Sequence, residues 1–80
     1  MSDPTASLLT VAAFYRFAPL PDPQALAQEL RALGATLALS GSIILADEGM
    51  NGTIAGSAEA VDALFDRLRA EPGFAPLSPR

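Results

Sequence analysis

The densest run of chemically capable side chains is Glu48-Gly49-Met50-Asn51-Gly52-Thr53, set in an otherwise apolar centre. Glu48, Asn51 and Thr53 supply a carboxylate, an amide and a hydroxyl in close succession, and Gly49 and Gly52 let another backbone come near. Such a set suits hydrogen-bonded recognition of a partner or substrate. The same string also fits a plain hairpin turn, with Asn51 and Gly52 at positive φ and Glu48 accepting from backbone amides. Both readings stand at this level. Asp47 and Glu48 are adjacent, so at a strand end they point to opposite faces, which is wrong for shared acid and base work. Arg16 is the nearest cation in the pattern. A strand-end hydrogen bond to Asp47 or Glu48 is favoured for it over binding an anion.

The residue types that are absent narrow the chemistry further. The chain has 80 residues with no cysteine and no histidine. This excludes a thiolate nucleophile, an imidazole base, a disulfide framework and a zinc site of the usual ligands. Catalysis would fall to carboxylates, hydroxyls or arginine, and no cofactor is expected in these residues. Five arginines face nine acids, a net charge of −4, so the basic footprint of an autonomous nucleic-acid binder is missing. No segment approaches the roughly 20 apolar residues that span a bilayer, and the start lacks a basic region ahead of an apolar core. A cytoplasmic protein without membrane contact is the expectation.

The elements that must position these residues follow from periodicity. Leu8 to Phe17 (LLTVAAFYRF) reads as a strand with Leu9, Val11, Ala13, Tyr15 and Phe17 on one parity. The opposite parity is also largely apolar, which predicts a strand in the middle of a sheet. Asp22 before Pro23 marks a helix start, Leu26, Leu30 and Leu33 form its stripe, and Gly34 occupies the expected left-handed C-cap. Gly41 to Ala46 reads as a second strand and Gly52 to Ala55 as a short third, joined through an Asn-Gly-containing loop. Ser57 caps a second helix with Val61, Leu64, Phe65 and Leu68 inward, and with Asp62, Asp66, Arg67 and Arg69 on the solvated side. Glu71, Pro72 and Gly73 stop it.

The order βαββα is the first five elements of the split βαβ, or ferredoxin-like, plan. The expected fold is therefore α+β, an antiparallel sheet with two helices on one face and the final strand missing or truncated. Residues 1–7 are expected to be a flexible N-terminus, 8–77 a ferredoxin-like (acylphosphatase-like) domain belonging to a longer protein, and 78–80 a tail. At this length folding buries only about 60% of the unfolded surface, so nearly every apolar side chain must be covered. The sheet face without helices carries the first strand's apolar residues, and an apolar patch of that kind marks an interface.

Three stretches resemble a known family: AAFYRFAPLPDP, LADEGMNGTIAGS and LRAEPGFAPL, spanning about residues 11 to 77. They are similar to the amino-terminal domain of the rhodanese-like tRNA uridine hydroxylases, in which PLPD follows an aromatic strand and an APEGINGT-like loop comes next. Asp47 stands where proline is common and Met50 where isoleucine is common, while Glu48, Gly49, Asn51, Gly52 and Thr53 match. The resemblance implies a parent enzyme that hydroxylates the wobble uridine of tRNA, with its catalytic cysteine in a C-terminal rhodanese-like domain. That domain, and tRNA through the parent protein, are the implied partners. The residues here would position tRNA or support the catalytic domain without catalysis of their own, and the isolated piece is expected to self-associate.

Other functions fit less well. A small ferredoxin-like regulatory or protein-binding module is the alternative. An acylphosphatase-like hydrolase needs a glycine-rich phosphate loop after the first strand, where this chain has FAPLPDP. RNA-recognition domains stack bases on aromatics of the first and third strands, and Gly52 to Ala55 holds none. Gly49 to Gly52 matches the GxxG of KH domains, but that clamp joins helices and this segment joins strands.

Overall fold

The computed structural model describes residues 9–78. The expected flexible segment 1–7, the first position of the predicted strand at Leu8, and residues 79 and 80 of the tail lie outside them. Five elements follow in chain order: β1 (Thr10–Phe17), α1 (Pro23–Thr36), β2 (Ser40–Ala46), β3 (Gly49–Gly56) and α2 (Ala58–Arg69). The strands form one antiparallel sheet in the order β1-β3-β2, with both helices on the same face. This is an α+β ferredoxin-like, acylphosphatase-like arrangement.

Side-chain alternation decides which residues meet the helices. Ala12 and Phe14 of β1, and Met50 and Ile54 of β3, are buried beneath Leu26 and Leu30 of α1 and Val61, Leu64, Phe65 and Leu68 of α2. The Phe14 and Phe65 rings meet edge to face at 5.3 Å, joining the sheet to α2. Phe74 and Leu77, beyond α2, are also buried, so this proline-containing segment closes the bottom of the core. Two turns hold it, with Phe74 N donating to Glu71 O and Leu77 N to Phe74 O, each at 3.0 Å.

Several sequence expectations are corrected here. β1 is an edge strand among the described residues, not a central one. The α1 helix does not end at Gly34. It runs to Thr36, and the left-handed residue is Ala38 at φ 55°. Ala38 N donates to Ala35 O and Leu39 N to Gly34 O, the paired bonds of a Schellman ending. Leu37 and Leu39, packed against the core, carry the helix past Gly34 to seat both leucines. An alanine in the left-handed region costs about 1–2 kcal/mol, and glycine loses part of that gain in chain entropy. Ala38→Gly is therefore expected to raise stability by about 0.5–1 kcal/mol in urea unfolding.

The third correction concerns the hairpin. The turn between β2 and β3 is Asp47-Glu48, and Asn51 and Gly52 lie inside β3. Register explains the shift. Met50 and Ile54 share a parity and both face the helices; a turn at Asn51-Gly52 would take Met50 out of the core. Neither Asp47 nor Glu48 has a positive φ, so the turn does not call for an Asn-Gly pair.

Helix caps follow the sequence. Asp22 Oδ1 accepts from Ala25 N at 3.1 Å, and Ser57 Oγ accepts from Ala60 N at 3.1 Å. Asp22→Ala and Ser57→Ala are each expected to cost about 1 kcal/mol by denaturant midpoint, whereas Ser57→Asp should be close to neutral.

Arg67 and Arg69 are not simply a solvated face. Arg67 pairs with Glu29, binding α2 to α1, and approaches Glu71 at 3.8 Å. Arg69 lies 5.3 Å above the Phe65 ring and donates from Nε to Leu77 O at 2.8 Å. The hydrogen bond from Arg67 holds the Glu29 carboxyl below its ordinary value of 4.5. Because the folded-state value is depressed, the stabilisation from this pair is complete above the ordinary carboxylate range. It is lost as pH falls through the lowered folded value. Glu29→Gln should therefore flatten the acid side of the stability–pH curve and leave its slope above neutrality unchanged.

Candidate functional site

The face of the sheet opposite the helices gathers the candidate residues. Registered pairs place Tyr15, Asn51 and Ile44 in one row across the three strands, and Ala13, Thr53 and Ser42 in the next. Pairs directly opposite share a face, so Asn51 and Thr53 project to the open side beside Tyr15. These two rows line a shallow depression of about 560 Å³. The Tyr15 and Phe17 rings stand edge to face at 5.9 Å along the rim. Leu9, Val11, Tyr15, Phe17 and Ile44 are the exposed large hydrophobics among the described residues, and the four that lie within the strands all share this side.

Charge is absent from the surface so formed. On the open parity β1 contributes Val11, Ala13, Tyr15 and Phe17, β3 contributes Asn51, Thr53 and Ala55, and β2 contributes serines, Ile44 and Ala46. None carries an ionisable acid or base of the Asp, Glu, Lys or Arg type. Asn51, Thr53 and Ser42 supply uncharged donors and acceptors among aromatic and aliphatic groups. Chemically, this arrangement suits contact and hydrogen bonding with a surface of mixed polarity.

Of the remaining motif residues, Met50 faces the helices and Glu48 lies in the turn, while Gly49 and Gly52 bring no side chain to that face. Glu48 is exposed in the β2–β3 turn, and its carbonyl accepts from Ala18 N at 3.0 Å. Gly49 and Gly52 are explained by packing. A Cβ on Gly49 would lie 2.3 Å from Arg16 O, and one on Gly52 would lie 2.6 Å from Ser42 O. Both glycines allow the strand backbones to approach, as the sequence suggests, but the visitor is the protein's own sheet. The six-residue motif is therefore split between one turn residue, two packing glycines, one core methionine, and two side chains on the open face.

Arg16 is also reassigned. Its Nε donates to Gly73 O at 2.7 Å, not to Asp47 or Glu48. It sits on the helix-side parity of β1, where the segment after α2 passes, while the two acids lie in the turn beyond the strand end. The arginine ties that segment to the Phe17 end of β1. Arg16→Ala is expected to lower stability by about 1 kcal/mol without altering affinity for inorganic phosphate, as read by calorimetry.

A second hollow, about 490 Å³, opens between α1 and β2 and is lined mainly by Leu30, Leu39, Ile43 and Leu45 with Arg31 at its side. Among the described residues there is no group of three or more acids that could hold a metal ion. No helix is long and apolar enough to cross a membrane.

Residues 9–80 match the profile of the UPF0176 acylphosphatase-like domain. The chain belongs to that family. Among its relatives, the tRNA uridine(34) hydroxylase of Bradyrhizobium diazoefficiens is 56% identical over 68 residues, covering 85% of this chain and 26% of that protein. The protein of the same name from Deinococcus radiodurans is 53% identical over 73 residues, with coverages of 81% and 24%. That from Caulobacter vibrioides is 47% identical over 70 residues, with coverages of 88% and 22%. This UPF0176 domain thus spans about a quarter of the length of the curated relatives it matches. The role of Tyr15 and Ile44 as neighbours of Asn51 was missed in the sequence. The parity of Tyr15 with Val11 and Phe17 was its only available signal, because the Ile44 pairing depends on where the hairpin turns.

Proposed function

We propose that this domain is the N-terminal accessory part of a rhodanese-like tRNA uridine hydroxylase, acting in the cytoplasm and contributing no catalysis of its own. The observation that carries this reading is the match to about a quarter of proteins named tRNA uridine(34) hydroxylase, by a chain with no cysteine or histidine. The chemistry would then reside in the rhodanese-like remainder, whose cysteine this stretch does not supply. The domain's part is to support that catalytic domain and, through the assembly, to position tRNA. Its charge of −4 and the uncharged open face favour support over direct gripping of the phosphate backbone.

The test is hydroxylation of wobble uridine in an anticodon stem-loop by the full-length protein, by a form lacking this domain, and by the 80-residue chain. Full activity in the first, a loss of at least about tenfold in the second and no product in the third are expected. Product from the 80-residue chain, or unchanged turnover without it, would remove the reading. An amide NMR titration of the 80-residue chain with the same stem-loop separates the two roles. Shifts at Glu48 to Thr53 would mean direct recognition of tRNA; an unmoved spectrum would mean support alone.

A further inference from the structure

We infer that the open sheet face, centred on the row Tyr15–Asn51–Ile44, is the docking surface for the rest of the same polypeptide in the longer protein. The inference rests on the proposed accessory role and assigns it a surface. Composition comes first. Val11, Phe17 and Ile44 are 66%, 77% and 62% exposed, and every exposed large hydrophobic within the described strands lies on this side. Aromatic groups with uncharged polar neighbours and no charged side chains are the make-up of a protein–protein interface core. A nucleic-acid surface would need cations for phosphate, and the three strands place none there.

The occupant follows from length and position. The relatives are about four times as long as the stretch matched here, so a large body of polypeptide is covalently close. The segment after α2 is held at the Phe17 end of β1 by the Arg16–Gly73 hydrogen bond. Polypeptide joined to this domain is covalently tethered to it, which gives it a high effective concentration at every face of the domain, this one included. A second copy has no such advantage.

The experiment is hydroxyl-radical footprinting of Tyr15 and Phe17 in the full-length protein and in the 80-residue chain. Protection of both rings by at least about fivefold in the full-length protein is expected. Ile44→Asp should abolish that protection. In the 80-residue chain the same substitution should leave the denaturation midpoint nearly unchanged, because Ile44 is exposed there. Equal reactivity in the two proteins overturns the inference. Protection that appears in the full-length protein only as its concentration rises assigns the face to a second copy and overturns it too, as does protection that requires added tRNA. Protection in a full-length protein whose hydroxylation survives deletion of this domain would keep the docking surface and remove only the functional reading.

Discussion

Phe65→Ala is expected to remove about 3–5 kcal/mol of stability, as measured by urea unfolding of the 80-residue chain. The ring is 1% exposed. It meets Phe14 edge to face at 5.3 Å and lies beneath the Arg69 guanidinium at the same distance. Truncation therefore loses transfer energy, leaves a cavity between sheet and α2, and removes two ring contacts. A domain of this length has a total stability on the order of 4–12 kcal/mol. The variant should sit near the edge of folding at 37 °C. Phe65→Leu, which keeps most of the volume, should cost less than half as much. Equal losses for the two would show that the ring contacts outweigh the cavity.

Gly49→Val is the second large effect, and it separates packing from recognition within the Glu48–Thr53 motif. A Cβ at this position would meet Arg16 O at 2.3 Å and the Phe17 Cα at 3.0 Å, both backbone atoms of β1. Neither can move without opening the β1–β3 ladder near its end, where Ala18 N donates to Glu48 O and Leu20 N to Asp47 O. Overpacking of this kind costs about 1–3 kcal/mol, and a branched side chain takes it to the upper end. Asn51→Ala is the control. Its side chain stands on the open face, so stability should change by less than about 0.5 kcal/mol. If Gly49→Val proved as stable as the parent, the close approach would not be the reason glycine stands there.

These two variants also show how far the sequence could be read. Phe65 was legible as a core residue because Val61, Leu64, Phe65 and Leu68 repeat at helical spacing, and the structure buries all four. The first strand, both caps and the order of the elements were legible for similar local reasons: alternation, a capping acid or hydroxyl, and proline at a helix start. In the sequence Gly49 signals room for a close approach, and the approaching group in the structure is the backbone of β1. Sequence distance hid it, since residues 16 and 49 are brought together only by the β1–β3 register.

The candidate site divides along the same line. By itself the sequence determined that the chain forms a small βαββα domain with an apolar helix-covered core, that it has no thiolate or imidazole chemistry, and that Glu48–Thr53 is its distinctive string. Those properties are local or compositional. Tertiary structure alone decided that the turn falls on Asp47-Glu48, that Asn51 stands beside Tyr15 and Ile44, and that Arg16 reaches Gly73 in place of an acid. The physical reason is register. Side chains in a strand alternate with a period of two, so the burial of Met50 and Ile54 against the helices set the face of every other residue in β3. A one-residue slip would have turned Asn51 and Thr53 into the core, and nothing in the local sequence forbids it as strongly as the packing does.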